Sequence, residues 1–391
     1  MLVTHVITRL IVGGAQENTV STVVGLQTRS EFRTNLISGP TLGIEGTLAS
    51  EFESFPGVLQ FCPSLVRPVS IQRDLKALYH LKATFKAASP TIVHTHSGKA
   101  GILGRWAAHM ARVPIIIHSV HGPSFGPWQG TLPNFIFRTA ERRAGRVTSH
   151  FISVANAMTD QYVQAGIGSR KDYTRIFSGF PLEPFLASHN DLELRGKLGI
   201  ASDDIVVGKI ARFVPLKGHD DLFAAAPGLI RQAPKLKFLL IGGGPLETKF
   251  KEIAQAMNLE KHFVFTGLVP PAKIPALTGI MDLLVHLSTR EGLPRALPQA
   301  LAAGKPVVAY DCDGAGEVCI EGQTGFLVQP RDFRSLEQRT TQLATNPELR
   351  IKFGERGRSY VRQNFSVQRM VDEIAAVYLK LLAAREVEVQ R

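Results

Sequence analysis

Arg212 and Lys217 lie close together after a short apolar run, Ile205–Ile210, and Gly218 follows them. Two cations at this spacing can neutralise a diphosphate without a metal ion, because guanidinium and ammonium groups form charge-assisted hydrogen bonds with phosphate oxygens. Gly243, within three glycines after the next apolar run, lets a second stretch of backbone come close. Either feature alone is also compatible with solvated charge or ordinary turn chemistry.

A carboxylate lies in a comparable position later in the chain. Glu291 is followed by Gly292, Leu293 and Pro294, and then by a helical stretch that contains Gln299. The carboxylate can accept hydrogen bonds from sugar hydroxyls, and backbone amides at the start of a helix can hold phosphate. The sequence therefore predicts an anion pocket with Glu291 at its edge.

Histidines follow two neighbouring apolar runs in the first half of the chain: His94, His96, His118 and His121. The His-x-His spacing occurs in zinc sites, so a metal hydrolase is one interpretation, although such a site needs further ligands from later strands of a barrel. The chain does not show a barrel pattern, and we expect no metal. We instead expect His96 to line a cleft, His121 to bind a hydroxyl or polarise a reacting group, and His94 to be a buried core histidine.

Gly13 and Gly14 follow the first apolar run, Leu2–Thr8, and precede a helical stretch. Such a pair can let backbone N–H groups approach an anion at a helix N-terminus, and it is equally compatible with a tight turn. The spacing does not match G-x-G-x-x-G, so the dinucleotide-binding fingerprint is absent.

The segment Asp311-Cys312-Asp313 resembles a metal-binding Asp-x-Asp motif of another fold. It follows a predicted strand and opens a glycine-rich loop. Loop chemistry explains these aspartates, and we do not interpret them as metal ligands.

Strand-like apolar runs alternate with helical-period segments along most of the chain, and they form two series. Such alternation predicts βαβ units and parallel sheets, whose ligands bind beyond the carboxyl ends of the strands. The predicted strands of the first series are Leu2–Thr8, Thr34–Ser38, Thr91–His94, Pro114–Ser119 and His150–Val154. Those of the second are Ile205–Ile210, Lys237–Ile241, Phe263–Phe265, Asp282–Leu287 and Pro306–Ala309.

The boundary between the two series falls where glycine and proline break the periodicity, near residues 179–190. We therefore expect one domain over residues 1–182 and a second over residues 183–366. Residues 367–384 have the apolar spacing of an amphipathic helix, which must pack on another surface or associate with a membrane.

The composition indicates a globular protein with a basic first half. Of the 391 residues, 44% are hydrophobic, and no apolar run reaches the ~20 residues of a membrane-spanning helix. Residues 1–180 contain 18 Lys and Arg against 9 Asp and Glu, whereas the rest contains 27 against 24. Such charge favours solubility or contact with an anionic membrane, and no nucleic-acid-binding motif is recognisable.

The three cysteines show no disulfide or zinc spacing, so we expect a cytoplasmic protein.

Taken together, these segments resemble family 4 of the glycosyltransferases, the retaining enzymes with the GT-B fold. The resemblance covers most of the chain, and its motifs occur in the order of the family. They are the Gly13-Gly14 loop, His94-Thr95-His96, His121-Gly122, Arg212 with Lys217-Gly218, Gly242-Gly243-Gly244, Phe265-Thr266-Gly267 and the Glu291 segment.

The resemblance implies an α/β protein with two facing Rossmann-like domains, an N-terminal one for the acceptor and a C-terminal one for a nucleotide sugar. It further implies that the last segment, residues 367–391, crosses back as a helix onto the N-terminal domain. By similarity, Arg212, Lys217 and the backbone near Gly14 hold the donor diphosphate. The backbone near Leu268 faces the base, and the acceptor contacts His96.

Three further roles follow from the same resemblance. Glu291 and the amides from Gly292 to Pro294 hold the transferred sugar, and His121 contacts it from the first domain. Where the family has a second glutamate that grips ribose, this chain has Gln299, which lacks a charge but can still accept and donate hydrogen bonds. This departure leaves open an attenuated or non-catalytic sugar-nucleotide-binding protein.

The resulting hypothesis is metal-independent transfer of a sugar from a nucleotide-diphosphate sugar, with UDP-sugars preferred, to a hydroxyl with retained configuration. We expect no cofactor and no nucleic acid partner. The expected acceptor belongs to cell-envelope polysaccharide or glycolipid assembly and can be lipid-linked, with peripheral contact at the inner face of an anionic membrane. A nucleotide-sugar epimerase or hydrolase shares the fold and is the main alternative.

Overall fold

The computed structural model describes residues 1–41 and 46–389. The chain divides into two compact units, and we describe each by itself. The N-terminal unit contains Met1–Phe180 together with Val367–Arg391, of which Gln390 and Arg391 lie outside the described residues. The C-terminal unit is Pro181–Ser366.

A seven-stranded parallel sheet forms the centre of the N-terminal unit, in the order β3-β2-β1-β4-β5-β6-β7. The central strands are rich in Val and Ile and are buried on both faces, as expected for a parallel sheet covered by helices. The strands are β1 (Leu2–Ile7), β2 (Arg33–Ser38), β3 (Leu59–Phe61), β4 (Ile92–His96), β5 (Ile115–Val120), β6 (His150–Ser153) and β7 (Tyr173–Arg175).

Helices α1 to α5 connect these strands. They are α1 (Gly14–Gln27), α2 (Ile71–Ala88), α3 (Gly98–Met110), α4 (Thr131–Gly145) and α5 (Asn156–Gln164). Helix α3 contacts both α2 and α4, so the three form one layer. The guanidinium of Arg105 on α3 pairs with the carboxylate of Glu141 on α4, and both side chains are fully buried.

The C-terminal unit has a six-stranded parallel sheet in the order β10-β9-β8-β11-β12-β13. Its core contains many aromatic rings, among them Phe223 and Phe263, which stack with centroids 4.3 Å apart. The strands are β8 (Ile205–Ile210), β9 (Leu236–Ile241), β10 (Phe263–Phe265), β11 (Leu283–His286), β12 (Val307–Tyr310) and β13 (Gly325–Val328).

Helices α6 to α13 belong to the C-terminal unit. Asp191, Asp332 and Asn346 cap three of them, because each side chain accepts a backbone N–H that would otherwise have no partner at the helix start. The helices are α6 (Glu183–Leu186), α7 (Leu192–Lys197), α8 (His219–Gln232), α9 (Glu247–Ala256), α10 (Ile274–Gly279), α11 (Ala296–Ala302), α12 (Phe333–Thr345) and α13 (Pro347–Asn364).

The last helix, α14 (Val367–Val389), belongs to the N-terminal unit and packs against α1. Its apolar side chains share a core with residues of β1, β4 and β5. Gly25 on α1 permits the close approach, because a Cβ at this position would lie 2.6 Å from a methyl carbon of Val371. Among the described residues, no helix is both long enough and apolar enough to cross a bilayer.

Candidate functional site

The strand order of the C-terminal sheet reverses between β8 and β11, which are neighbours in space but not in sequence. In open parallel sheets, ligands bind beyond the carboxyl ends of the strands at such a switch point. The loop after β8 contains Arg212 and Lys217, and the loop after β11 contains Glu291. The three charged residues predicted from the sequence therefore belong to the two loops that flank the switch point.

An ion pair joins these two loops. The ammonium of Lys217 donates to a carboxylate oxygen of Glu291, and each side chain is 21% exposed. Nε2 of His286, the last residue of β11, lies 3.6 Å from the same carboxylate oxygen. Arg212 is exposed on the same loop as Lys217. In this site, Lys217 is therefore paired with the carboxylate of Glu291, and Arg212 is exposed.

The backbone around Glu291 is fixed by the loop after β12. The N–H of Glu291 donates to Oδ2 of Asp313 at 2.6 Å, and the N–H of Gly314 donates to the carbonyl of Gly292 at 3.1 Å. We interpreted Asp313 from the sequence as loop chemistry only. Its carboxylate in fact positions the backbone of Glu291, a role that only the juxtaposition of two loops reveals.

The protonation states in this site follow from its surroundings. Burial alone would raise the pKa of Glu291, but the neighbouring imidazole of His286 and the charge of Lys217 outweigh it and lower that pKa to about 2. Burial lowers the pKa of His286 below its ordinary value, although Glu291 opposes this shift. Glu291 is therefore an ionised acceptor near neutral pH, and it compensates the charge of Lys217.

The loops after β8 and β9 touch through glycine, as the sequence predicted. A Cβ on Gly242 would lie 2.2 Å from the carbonyl oxygen of Ala211, and the φ of Gly242 is +137°, which disfavours other residues. The N–H of Phe213 donates to the carbonyl of Gly243 at 3.0 Å. Leu268, after β10, lies beside Gly243 and is 67% exposed. Glycine thus brings the Arg212 loop, Gly243 and Leu268 together.

The segment after Glu291 needs one correction. Gly292, Leu293 and Pro294 are buried, but proline has no backbone N–H, so Pro294 cannot donate as the sequence analysis expected. Only Gly292 and Leu293 retain that capacity. Gln299 is half-buried on the seven-residue helix α11, and its expected contact with ribose stays a prediction.

Lys209, on β8, was missed by the sequence analysis. Its side chain is 2% exposed, and its Nζ has no hydrogen-bond partner in the part of the chain that the structure describes. Burial, followed by repulsion from Lys217, lowers its pKa to about 7, while Glu291 and Asp221 oppose this shift. A lysine within the otherwise apolar run of a buried parallel strand is the signal that could have identified it.

In the N-terminal unit, three histidine rings form a hydrogen-bonded row, and two of them are residues predicted from the sequence. Nδ1 of His5 lies 3.0 Å from Nε2 of His96, and Nδ1 of His96 lies 3.0 Å from Nε2 of His121. His96 is fully buried and uses both ring nitrogens in this row. Its contact with an acceptor stays a prediction. In the structure, the buried ring of His96 contacts the ring of His121. His5 was not among the residues selected from the sequence.

His94 lies next to this row but has other partners. Its Nδ1 is 2.5 Å from the hydroxyl of Tyr378 on α14, and its Nε2 is 2.8 Å from the hydroxyl of Ser119. The ring is fully buried, and burial, followed by the neighbouring His5 and His121, lowers its pKa well below the ordinary value. His94 thus has the surroundings of the buried core histidine that we expected.

His5, His94 and His96 are a group that could hold a metal ion, since one ring nitrogen of each lies within 4.8 Å of the others. Two of the rings already use both nitrogens in hydrogen bonds: His94 with Tyr378 and Ser119, and His96 with two histidines. A metal would have to replace these bonds in a fully buried space. The donor set therefore fits hydrogen bonding between neutral rings better than ligation.

Gly13 and Gly14 lie at the start of α1, as predicted. Gly13 immediately precedes the helix, and its carbonyl accepts the N–H of Glu17 at 2.9 Å. These glycines, with His96 and His121, belong to the N-terminal unit, whereas the charged pair and its glycine loops belong to the C-terminal unit.

Two protein-family models match the sequence, one within each of the two parallel-sheet units. The family described as "Glycosyl transferase 4-like domain" matches residues 24–176, and "Glycosyl transferases group 1" matches residues 190–360. The chain is a group 1 glycosyltransferase. Its fold is the GT-B fold, as the resemblance implied.

Relatives of this glycosyltransferase occur in bacteria. It is 28% identical over 326 residues to the UDP-Gal:alpha-D-GlcNAc-diphosphoundecaprenol alpha-1,3-galactosyltransferase of Escherichia coli, a match that covers 82% of this chain and 84% of the relative. It is 24% identical to the capsular polysaccharide biosynthesis glycosyltransferase CapM of Staphylococcus aureus, over 86% of this chain and 89% of CapM.

Solved structures share the fold of this glycosyltransferase over nearly its whole length. Anabaena HepE in complex with UDP and glucose superimposes with a TM-score of 0.82 at 23% identity, over 97% of this chain and 100% of HepE. The sucrose-phosphate synthase of Thermosynechococcus elongatus gives a TM-score of 0.81 at 18% identity, over 98% and 100% of the two chains.

Proposed function

We propose that this glycosyltransferase transfers a sugar from a nucleotide-diphosphate sugar, with UDP as the preferred nucleotide, to a hydroxyl group. The observation that carries the proposal is the Lys217–Glu291 pair between the two loops at the switch point, with Arg212 exposed on the same loop as Lys217. The cations suit the anionic diphosphate of such a donor, and the carboxylate suits the hydroxyl groups of its sugar. The name of the Escherichia coli relative and the UDP in the HepE complex favour uridine.

The donor is bound by groups of different chemistry. Arg212 and Lys217 bind the diphosphate, since their positive charge suits phosphate oxygens. The backbone near Leu268 faces the base, and Gln299 hydrogen-bonds the ribose.

The transferred sugar has its own set of contacts. The ionised carboxylate of Glu291 accepts hydrogen bonds from the sugar hydroxyls, and the N–H groups of Gly292 and Leu293 donate to its oxygens. The sugar is thus bound through hydroxyl groups, without a formal charge of its own.

Transfer proceeds with retention of configuration at the anomeric carbon. The acceptor oxygen forms a bond to that carbon on the face from which the diphosphate leaves, while the bond from the anomeric carbon to the phosphate oxygen breaks. The acceptor proton moves to an oxygen of the leaving diphosphate. Lys217 and Arg212 stabilise the charge that develops on the diphosphate. Analysis of the product's anomeric configuration tests this step, and an inverted linkage contradicts it.

The reaction needs no metal ion in this proposal. Lys217 and Arg212 supply the positive charge that a divalent cation would otherwise provide to the leaving group. Asp313, the candidate for a metal-binding aspartate, already accepts the N–H of Glu291. Supporting this interpretation, the carboxylate of Glu291 is compensated by an ammonium group.

The acceptor is proposed to be lipid-linked and presented at an anionic membrane surface, in cell-envelope polysaccharide or glycolipid assembly. Helix α4 supports this proposal, because Leu132, Phe135 and Ile136 in its first turns are 66%, 68% and 54% exposed. Arg143 and Arg146 are exposed further along the same helix face, at spacings close to whole turns. An exposed apolar patch next to arginines is typical of a helix that lies in the headgroup region of a bilayer.

A donor-binding experiment tests the central proposal. We would titrate the full-length protein with UDP, GDP and ADP by calorimetry, with and without EDTA, and repeat the titrations with Arg212→Ala. Lys237→Ala is a matched control. Lys237 lies near the start of β9, whereas the candidate site lies beyond the carboxyl ends of the strands. We expect UDP binding that EDTA does not change and that Arg212→Ala weakens at least tenfold. No binding of any nucleotide, or equal binding by Arg212→Ala, contradicts the proposed site.

Turnover distinguishes transfer from the alternative chemistries of the same fold. We expect UDP release from the donor only when a hydroxyl acceptor is present. Release at the same rate without acceptor indicates a hydrolase or epimerase, and UDP binding without any turnover indicates a binding protein.

A further inference from the structure

Three buried side-chain nitrogens near the switch point of the C-terminal sheet have no hydrogen-bond partner within residues 1–41 and 46–389. They are Nζ of Lys209 on β8, Nδ1 of His219 at the start of α8, and Nε2 of His286 at the end of β11. All three residues are buried, and the charge of Lys209 acts on both imidazoles. Buried polar groups in folded proteins are nearly always hydrogen-bonded, so a cluster of this kind calls for a functional explanation.

The charge of Lys209 depends on the groups around it. Burial and the like charge of Lys217 disfavour its ammonium form and lower its pKa to about 7, whereas the carboxylates of Glu291 and Asp221 oppose this shift. Both imidazoles of the cluster are neutral near neutral pH, because burial lowers the pKa of each. Lys209 is therefore the member of the cluster whose protonation changes near neutral pH.

The remaining neighbours of Lys209 do not change charge in this range. Its register partner on β9 is the apolar Leu240. On β12, the hydroxyl of Tyr310 donates to Oδ2 of Asp221 at 2.9 Å, and burial raises the pKa of Tyr310, so this hydroxyl stays protonated. Of the charges that act on Lys209, those of the Lys217–Glu291 pair are consequently the ones that a ligand at this pair would alter.

A diphosphate bound to Lys217 shifts the balance at Lys209 in one direction. It neutralises the ammonium that repels Lys209, and it adds negative charge close to a buried amine. Charges interact more strongly in a buried site than in water, so both changes favour the ammonium form of Lys209.

We propose that Lys209 couples donor binding to proton uptake: its neutral amine accepts one proton from solvent when a diphosphate binds Lys217, and the resulting ammonium compensates the added negative charge. The coupling is reciprocal, so protonated Lys209 raises the affinity for the donor and neutral Lys209 lowers it. The inference rests on the proposed function, because it takes the ligand of Lys217 to be a nucleoside diphosphate or its sugar.

Lys209→Met is the test variant, since it replaces an unpartnered buried amine by an uncharged side chain of similar length. Loss of such an amine should leave the protein at least as stable as the wild type. Lys305→Met is the matched control. Burial lowers the pKa of Lys305 to about 8, but this residue precedes β12, and the charges that act on it belong to Asp282 and three arginines.

Calorimetric titration of the full-length protein with UDP, in buffers of different ionisation enthalpy, counts the protons exchanged on binding. At about pH 8 the phosphates of UDP are fully ionised, so the nucleotide releases no proton of its own. We expect the wild type and Lys305→Met to take up about half a proton or more per UDP, and Lys209→Met to take up none. The affinity of the wild type for UDP should then fall about threefold or more from about pH 7.5 to 8.5, whereas that of Lys209→Met stays nearly constant.

A carbon-13 spectrum of lysine-labelled protein gives a second readout, which does not depend on the folding of Lys209→Met. We expect one Cε signal, present in the wild type and in Lys305→Met, that titrates near pH 7 without ligand and about one pH unit or more higher with UDP.

The outcomes separate this coupling from the proposed function. UDP binding without proton uptake, equal uptake in Lys209→Met, or a Cε midpoint that UDP leaves unchanged overturns the coupling and leaves the proposed function intact. Absence of binding by any nucleotide refutes the proposed function, and the coupling with it.

Discussion

The hydroxyl of Tyr378 on the last helix lies 2.5 Å from Nδ1 of His94 on β4, so the two segments of the N-terminal unit, residues 1–180 and 367–391, meet in its buried core. Tyr378→Phe leaves that nitrogen without a partner in a space that excludes water. We expect the free energy of unfolding to fall by about 1–3 kcal/mol. Chemical denaturation measures this loss, with Tyr79→Phe as a control because Tyr79 is 60% exposed. Equal stability of the two variants would show that the contact contributes nothing.

The Lys217–Glu291 pair predicts opposite effects of its two members on nucleotide affinity. Lys217→Ala removes a cation from the diphosphate and should weaken UDP binding at least tenfold. Glu291→Gln removes the charge that compensates Lys217, so UDP should bind at least as tightly as to the wild type, even though both variants lose about 100-fold or more in kcat. Calorimetry with UDP and initial rates with the donor sugar measure the two effects. Weaker UDP binding by Glu291→Gln would contradict the division of roles.

The buried pair Arg105–Glu141 predicts a large stability effect of a single substitution. Glu141→Ala leaves the Arg105 guanidinium buried and unpaired, and we expect a loss of about 3–5 kcal/mol in the free energy of unfolding. The double variant Arg105→Met/Glu141→Leu removes both charges and should recover most of that loss. A double variant as unstable as the single one would mean that shape, not charge, determines the contribution of this pair.

The buried histidines predict a loss of stability in mild acid. The unfolded chain protonates its histidines below about pH 6.5, whereas folded His121 and His5 do so only near pH 4 and 3. The free energy of unfolding should therefore fall as the pH drops from 6.5 towards 4, by about 1.4 kcal/mol per pH unit for each such ring, and should not depend on them above pH 7. Urea denaturation at pH 7 and pH 5 measures this, and His5→Gln should show a shallower dependence. An identical dependence in wild type and variant would exclude His5 as a contributor.

The exposed apolar residues of α4 predict binding to anionic vesicles. Phe135→Ser/Ile136→Ser should reduce co-sedimentation with vesicles of phosphatidylcholine and phosphatidylglycerol at least fivefold, because it removes most of the apolar area that enters the bilayer. Ile351→Ser is the matched control, since Ile351 is also exposed but lies on α13 of the C-terminal unit. Binding that the α4 variant leaves unchanged would place the membrane contact elsewhere or exclude it.

The alternation of apolar runs was sufficient to predict the fold class and ten of the strands. The strands that it missed are β3, β7 and β13, of which β3 and β7 are three-residue edge strands with partly exposed side chains. Short edge strands contain no continuous apolar run, because only one side pairs with the sheet and one face is often solvated. These edge strands form because they pair with the neighbouring strand of the sheet, and their own residues do not predict them.

The candidate site was predictable residue by residue but not as a set of contacts. Lys217 and Glu291 are 74 residues apart, and only the strand order brings their loops together. The contact of Asp313 with Glu291 and that of His5 with His96 were missed for the same reason, since each joins residues of different strands or loops. Chemical type and spacing along one loop can be read from a sequence, whereas partnership between loops depends on the sheet topology.

The contribution of α14 to the N-terminal unit also has a consequence for biosynthesis. Residues 181–366 are translated in full before α14 is made, so the N-terminal unit stays incomplete while the C-terminal unit is synthesised. Until translation reaches α14, the apolar side chains of Val3, Ile92 and Ile115 lack the helix that covers them. The nascent chain therefore carries an incomplete, aggregation-prone first unit through most of its synthesis, and this is the interval in which a chaperone would protect it.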